Sequence, residues 1–370
     1  MSTFLFYLSF QMLLPIVPLY TTALGGRESQ IGVVMGIFAF AAMLLRPVAG
    51  ELADRLGRYP LVLAGSAIFA TASIAYPTAG RTVGALLVIR LFHGAGMGLG
   101  PTAGTVMIAD LAPPARRGEA MGLYGMAGNA SLVIGPFLGV EILDRAGFGW
   151  VFAVSSAIAL ASVLVAARLP ETRGETAATP RPMPSLAGLF SAGALYPALL
   201  VLTLFVPYAA VFTFLPLFAL QQRLGNPGLF FTVFALAAVV VRGAAGRLSD
   251  RIGRRAVTAP SLAVTGVALL LLARADSMPW LLAAAVVLGV GFGAAQPAIL
   301  AMAADRVPPA ERGRAVGTVY AAWELGIFGG AILFGLWAAR WGYRSMWVAG
   351  AVSVGLGAVA ACRHISRARG

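Results

Sequence analysis

The chain has 370 residues, of which 59% are hydrophobic and only 11% charged. A soluble domain carries roughly 25% charged residues, so this composition excludes a soluble globular enzyme, and its hydrophobicity excludes disorder. The formal net charge of +13 comes from 27 basic residues, all arginine; they are scattered in ones and twos, which excludes a nucleic-acid-binding stripe.

A single cysteine, Cys362, precludes an internal disulfide. Two histidines, His93 and His364, leave no metal-ligating set, so no metal and no cofactor is expected.

A membrane span needs about 20 predominantly apolar residues. The first such stretch, 3–22, has no basic start and no small-residue cleavage site, and reads as a span rather than a removable leader. It carries Gln11, Pro15 and Pro18. Spans at 30–50 and 60–79 flank a polar loop from Gly50 to Arg58. The span 83–109 contains Arg90, His93 and Met97, and 119–141 contains Asn129, Gly135, Pro136 and Gly139. A sixth span, 149–168, closes the first half. The segment 169–194, with Pro170, Pro180, Pro182 and Pro184, reads as a polar linker. Spans at 195–219, 228–247, 256–273, 279–303, 315–338 and 345–362 follow, with Pro216 in the first of these and Tyr320, Trp323, Glu324 and Phe328 in the fifth. The expected domains are therefore 1–168, a linker at 169–194, and 195–370.

Arginine placement sets the orientation. With both termini cytoplasmic, 19 arginines lie inside and 7 outside, and Arg90 falls within a span. The reading is a multi-pass protein of the cell inner membrane with cytoplasmic N- and C-termini.

An internal repeat divides the chain. Arg46, Gly50, Asp54, Arg55, Gly57 and Arg58 recur as Arg242, Gly246, Asp250, Arg251, Gly253 and Arg254, an offset of 250 − 54 = 196. Gly94, Gly96 and Gly98 recur as Gly289, Gly291 and Gly293, and Asp110, Pro113, Pro114, Ala115, Arg117 and Gly118 as Asp305, Pro308, Pro309, Ala310, Arg312 and Gly313, at 195. The chain is a tandem duplication of a six-helix unit.

On these residues the chain resembles the major facilitator superfamily over essentially its whole length. Gly50-x-Leu52-Ala53-Asp54-Arg55-x-Gly57-Arg58 is similar to the family's signature loop, with Tyr59 where a second basic residue is usual; the copy at Gly246 to Arg255 keeps it. Leu86-x-x-x-Arg90-x-x-His93-Gly94-x-Gly96 resembles the motif associated with proton coupling in family antiporters, His93 replacing a more usual glutamine. Gly135-Pro136-x-x-Gly139 is similar to the antiporter motif, with Val140 in place of a second glycine. The resemblance implies an all-α membrane protein of twelve transmembrane helices in two pseudo-symmetric six-helix bundles. Leu169-Pro170-Glu171-Thr172-Arg173 looks like the sugar-porter ending, which drug exporters share, and carries little weight.

The residues also have a physical reading. A carboxylate near a positive helix N-terminus gains about 0.3–1 kcal/mol, so Asp54 and Asp250 read either as gating latches to the opposite half or as parts of short solvated loops. The span-5 glycines read equally as transport-related bending and as plain helix packing. Arg90 is too deep for a loop charge and needs a cavity or partner, unless it snorkels to the outer surface. Glu324 is the one acidic residue near mid-span, where a charged carboxylate is strongly disfavoured, and it suits binding and release of a proton. Its plain alternative is a permanent structural pairing.

The expected function is secondary active transport by alternating access, most simply proton-coupled efflux of lipophilic or drug-like molecules. A transporter of a small polar metabolite such as a sugar is the second reading, and a non-transporting receptor or scaffold the third. No catalytic cluster and no Walker loop is present, so an enzyme or ATP-driven pump is not expected. Glu324 and Arg90 are the candidates for proton coupling. Gln11, His93, Met97, Asn129, Tyr320, Trp323 and Phe328 are the candidates for the substrate cavity. The two signature loops are candidates for gating. The expected partners are a small-molecule substrate, protons and the lipid bilayer, with no nucleic acid, and the expected state is a monomer.

Overall fold

The computed structural model describes residues 1–79, 82–113, 116–172 and 190–366. Outside them lie most of the expected linker (173–189), Gly80, Arg81, Pro114, Ala115, Arg367 and Arg369. The described residues are helical wherever the sequence is apolar. In lipid a spanning segment must satisfy its own backbone hydrogen bonds, which a helix does within a single segment.

Two compact units are present, Met1–Pro182 and Met183–Gly370. Unit 1 contains α1 (Ser2–Ala23), α2 (Glu28–Leu56), α3 (Arg58–Ala75) with a 3₁₀ turn (Tyr76–Ala79), α4 (Val83–Leu111), α5 (Arg117–Ala146) and α6 (Phe148–Ala166). Unit 2 contains α7 (Leu195–Gln221), α8 (Gly228–Ile252), α9 (Arg254–Ala273), α10 (Met278–Asp305) and α11 (Arg312–Ser366). Among the described residues, 11 helices are long and apolar enough to cross a membrane. The last has an apolar stretch of 51 residues, about 75 Å at 1.5 Å per residue, against a hydrocarbon core of about 30 Å. It is broken by non-helical Gly342 (φ 79°, ψ 171°), so it supplies two crossings, and 11 + 1 gives the twelve expected.

Several boundaries differ from expectation for one reason. The apolar runs stop at 50 and 247, but the helices continue through charged residues to Leu56 and Ile252. Asp54, Arg55, Asp250 and Arg251 therefore occupy last helical turns rather than loops, and Asp144 and Arg145 lie within α5. Arg46 and Arg242, counted as flanking charges, sit well inside α2 and α8. Charged side chains end a hydropathy signal without ending a helix, because arginine and glutamate are good helix formers.

What ends these helices is a single glycine. Gly57, Gly147, Gly253 and Gly342 have φ of 105°, 82°, 95° and 79°, a region costly for any residue with a Cβ. Each is a one-residue turn between consecutive helical segments. Each follows arginine by two positions, at Arg55, Arg145, Arg251 and Arg340. The spacings are 147 − 57 = 90 and 342 − 253 = 89, so the turn recurs at nearly the same interval in both units.

Inside the units, helices close through small residues. A Cβ on Gly96 would stand 2.7 Å from Phe69 N and 2.8 Å from Gly65 O, which holds α4 against α3. A Cβ on Gly135 would stand 2.7 Å from Gln11 Cβ, and one on Gly139 would overlap the Met12 carbonyl, so the α1–α5 seam depends on both. Two reciprocal serine pairs join α1 to α6: Ser2 Oγ donates to Ser162 O and Ser162 Oγ to Ser2 O, both at 3.1 Å, while Ser9 Oγ donates to Ser155 O at 2.9 Å and Ser155 Oγ to Ser9 O at 3.2 Å. Interhelical bonds of this kind are worth about 0.6 kcal/mol each in lipid.

Candidate functional site

The polar centre of unit 1 forms around α4. Arg90 is only 2% exposed, so it does not snorkel to the surface. Its Nε donates to Val34 O at 3.2 Å, Nη1 to Tyr76 Oη at 3.4 Å and Nη2 to Met35 Sδ at 3.8 Å, and the guanidinium lies 4.2 Å from the Phe38 ring centroid. A desolvated cation is costly, and here a carbonyl, a phenol, a thioether and an aromatic face share the compensation.

His93, one turn further along, is fully buried. Its Nδ1 shares a 2.8 Å hydrogen bond with Tyr76 Oη, and its ring lies 4.0 Å from Phe69. Tyr76 thus bridges Arg90 and His93 from the 3₁₀ turn after α3. Met97 packs with Phe6, Phe38 and Phe69. The structure therefore brings Arg90, His93 and Met97 together in the packed interior of unit 1.

At the Gly57 turn, Arg58 is the centre. Its Nη2 pairs with Asp54 at 3.1 Å, its Nε with Asp110 at 2.9 Å, and its Nη1 donates to Ala53 O at 2.9 Å. Asp54 has a 72% exposed side chain. Glu171 occupies the N-terminus of α3: its carboxylate accepts from Arg58 N at 3.0 Å and Tyr59 N at 3.2 Å, capping the helix. A Cβ on Gly57 would overlap that carboxylate. Thr172 adds a bond to Asp110 at 3.4 Å.

The Gly253 turn repeats the arginine. Arg254 pairs with Asp250, with Asp305 at 2.9 Å, and donates to Ser249 Oγ at 3.3 Å. Among the described residues no carboxylate caps α9, and a Cβ on Gly253 would meet none of them within 4 Å. Arg55 pairs with Glu51, Arg251 is exposed, and Gly50 and Gly246 face open space.

The remaining candidates divide between the units. In unit 1, Gln11 abuts Gly135, and its buried Oε1 has no hydrogen-bond partner among the described residues. Asn129 is half-buried on α5, and Pro136 lies within that helix. In unit 2, Trp323, Glu324 and Phe328 are half-buried on α11, and Tyr320 is 43% exposed. Trp323 lies 4.2 Å from Phe205 and 5.5 Å from Tyr320. Tyr76, Asp110, Glu171 and Asp305 were not picked out as site residues. The duplicated Asp110 and Asp305 carried a sequence signal; Tyr76 carried none.

The Major Facilitator Superfamily profile matches residues 1–230 and 224–369. The chain is 28% identical over 371 residues to the multi-drug resistance efflux pump PmrA of Streptococcus pneumoniae, covering 95% of this chain and 91% of that protein. Among solved structures, the nucleoside transporter NupG superposes with a TM-score of 0.82 at 14% identity, covering 98% of both chains. A D-xylose-proton symporter does so with a TM-score of 0.76 at 16% identity, covering 97% of this chain and 95% of that one. With its helices, its duplicated turn and a profile match running from end to end, the chain belongs to the major facilitator superfamily and is a multi-pass membrane transporter rather than an enzyme.

Proposed function

We propose that the chain is a proton-coupled exporter of lipophilic, drug-like small molecules. It works by alternating access in the cell inner membrane, as a monomer with both termini cytoplasmic. The observation that carries the reading is Glu324. It lies twelve residues into α11 (324 − 312), half-buried, with the aromatic residues Tyr320 and Phe328 one turn away on either side. Asn129 stands at the equivalent place in unit 1, at 324 − 195, so the carboxylate belongs to one half only. A carboxylate at that depth is costly when charged, and it takes up or gives off a proton as its access to water changes.

The PmrA likeness, spanning nearly the whole chain, supports drug export over uptake of a polar metabolite. Arg90 sets the positive charge of unit 1 beside Tyr76 and His93 and acts with Glu324 in coupling. Gln11, Asn129, Trp323 and Phe328 line the substrate path. The 169–194 linker joins the two bundles. Asp54 and Asp250, through the Arg58 and Arg254 clusters, latch the turns that open and close.

The test is Glu324→Gln in proteoliposomes with an imposed pH gradient. Uphill export is expected to vanish while downhill flux persists. Intact uphill export by the glutamine variant overturns the coupling role.

A further inference from the structure

Unit 2 contains a row of aromatic rings and an arginine that proton coupling does not use. Phe205, Phe212, Phe234 and Phe292 are buried. Tyr208 stacks on Phe212 with centroids 4.1 Å apart and on Phe292 at 4.7 Å, and Phe205 links Phe292, at 5.3 Å, to Trp323, at 4.2 Å. Tyr320 ends the row. The row is dry at Phe234 and opens at Tyr208, Trp323 and Tyr320, which are half-buried to exposed.

Arg242 stands at the open end. Its Nη2 donates to Gln296 Oε1 at 3.0 Å, its Nε is buried without a hydrogen-bond partner, and no acceptor among the described residues takes its Nη1. The ionisable groups close enough to act on it are the phenols of Tyr208 and Tyr320. Among the described residues no carboxylate forms an ion pair with it. Because Gln296 gives its oxygen to Arg242, its amide N–H₂ is left to donate elsewhere.

The depths agree. Arg242 lies 252 − 242 = 10 residues from the end of α8, Gln296 lies 305 − 296 = 9 from the end of α10, and Tyr320 lies 320 − 312 = 8 from the start of α11. At 1.5 Å per residue all three sit about 12–15 Å in from the helix ends, at matching depth inside the apolar stretches. A cation held there with unused donors is costly unless an anion meets it. A guanidinium fork matches a carboxylate in two parallel bonds, and aromatic rings accept another planar ring by offset stacking.

Unit 1 does not repeat the arrangement. Arg46 occupies the position of Arg242, but Pro101 stands where Gln296 would be and Gly125 where Tyr320 would be, while the neighbouring Tyr124 donates its hydroxyl to Pro101 O at 3.2 Å.

We propose that this face of unit 2 binds a planar aromatic anion, its carboxylate held by Arg242 and the Gln296 amide and its ring against Tyr208, Trp323 and Tyr320. The inference rests on the transporter reading above and narrows its drug-like substrates to those pairing a flat ring with an anionic group.

Three ring-matched probes decide it: 2-naphthoate, 2-naphthalenemethanol and 2-naphthylmethylammonium, titrated calorimetrically into the full chain in nanodiscs. Naphthoate is expected to bind about tenfold tighter than either analogue, as a charge-assisted paired contact predicts. Arg242→Gln is expected to erase that preference while leaving the neutral probe's affinity within about twofold, and Trp323→Ala to weaken all three. Should Arg242→Gln fail to fold, Gln296→Ala keeps the arginine and is expected to cut the preference about threefold. Equal affinities for naphthoate and the ammonium probe, or a preference that survives both the arginine and the glutamine substitution, overturn the site. Arg242-dependent naphthoate binding without pH-driven export of any probe keeps the site and removes the export reading. Export of the neutral probe without an anion preference keeps export and removes the site.

Discussion

The fourth helix of each unit, α4 and α10, is cut to one pattern and filled with opposite chemistry. Gly94, Gly96 and Gly98 recur as Gly289, Gly291 and Gly293. Yet Arg90 becomes Ala285, His93 becomes Leu288 and Met97 becomes Phe292 at an offset of 195, and Tyr76 becomes Leu272 at 196. Unit 1 sinks a cation into its packed interior. Unit 2 fills the same positions with Leu and Phe and carries its deep carboxylate, Glu324, on α11. Duplication preserved the residues that let helices touch, because any side chain there collides with a neighbouring backbone. It left free the residues that only fill the gaps.

Exchanging the two solutions gives the largest expected effect. Ala285→Arg places a cation where Leu272 stands in place of the Tyr76 phenol and Leu288 in place of His93, and no folded protein is expected by detergent size-exclusion. Arg90→Ala in the other unit should still fold, about 2–4 kcal/mol less stable by thermal melting, because it leaves a void and removes one of Tyr76's two hydrogen bonds. The shared pattern is tested by Gly96→Leu and Gly291→Leu. These are expected to cost similar amounts, about 1–3 kcal/mol each, from overpacking against α3 and α9, and a large asymmetry in melting temperature would break the equivalence. Next comes Glu171→Ala, which removes the α3 cap. A loss of about 1 kcal/mol is expected, seen as faster hydrogen exchange at Arg58 and Tyr59 and unchanged exchange at Arg254. The smallest stability effect is expected for Asp54→Asn, below about 1 kcal/mol because the pair is exposed, although transport in proteoliposomes should fall. Normal transport by that variant would sink the latch.

The apolar runs made the spans readable, since lipid imposes one length and one composition on every crossing. Their ends were not readable in the same way: α2 runs six residues past its apolar stretch because hydropathy registers charge, not helix. That is also why Arg242 reads as a flanking charge in the sequence and as an interior one in the structure. Arg90 and His93 were visible as polar intrusions in an apolar segment. Tyr76, which joins them, was not. It is 14 and 17 residues away in sequence, on a turn whose path only the fold determines. Glu171 went unvalued because its partners are backbone amides at 58 and 59, and a backbone donor leaves no mark in a sequence.

The four single-glycine turns have a mechanical consequence. With one residue between helices there is no slack, so a tilt of α2 has to be passed on to α3, and likewise from α5 to α6, from α8 to α9, and across Gly342 within α11. These pairs behave as levers, each pivoting about one backbone atom trio. Any relative motion inside a unit is thereby pushed into the longer connections, such as those before α2 in unit 1 and before α8, α10 and α11 in unit 2. Each half is geared, with its stiff and its yielding joints already assigned by where glycine stands alone.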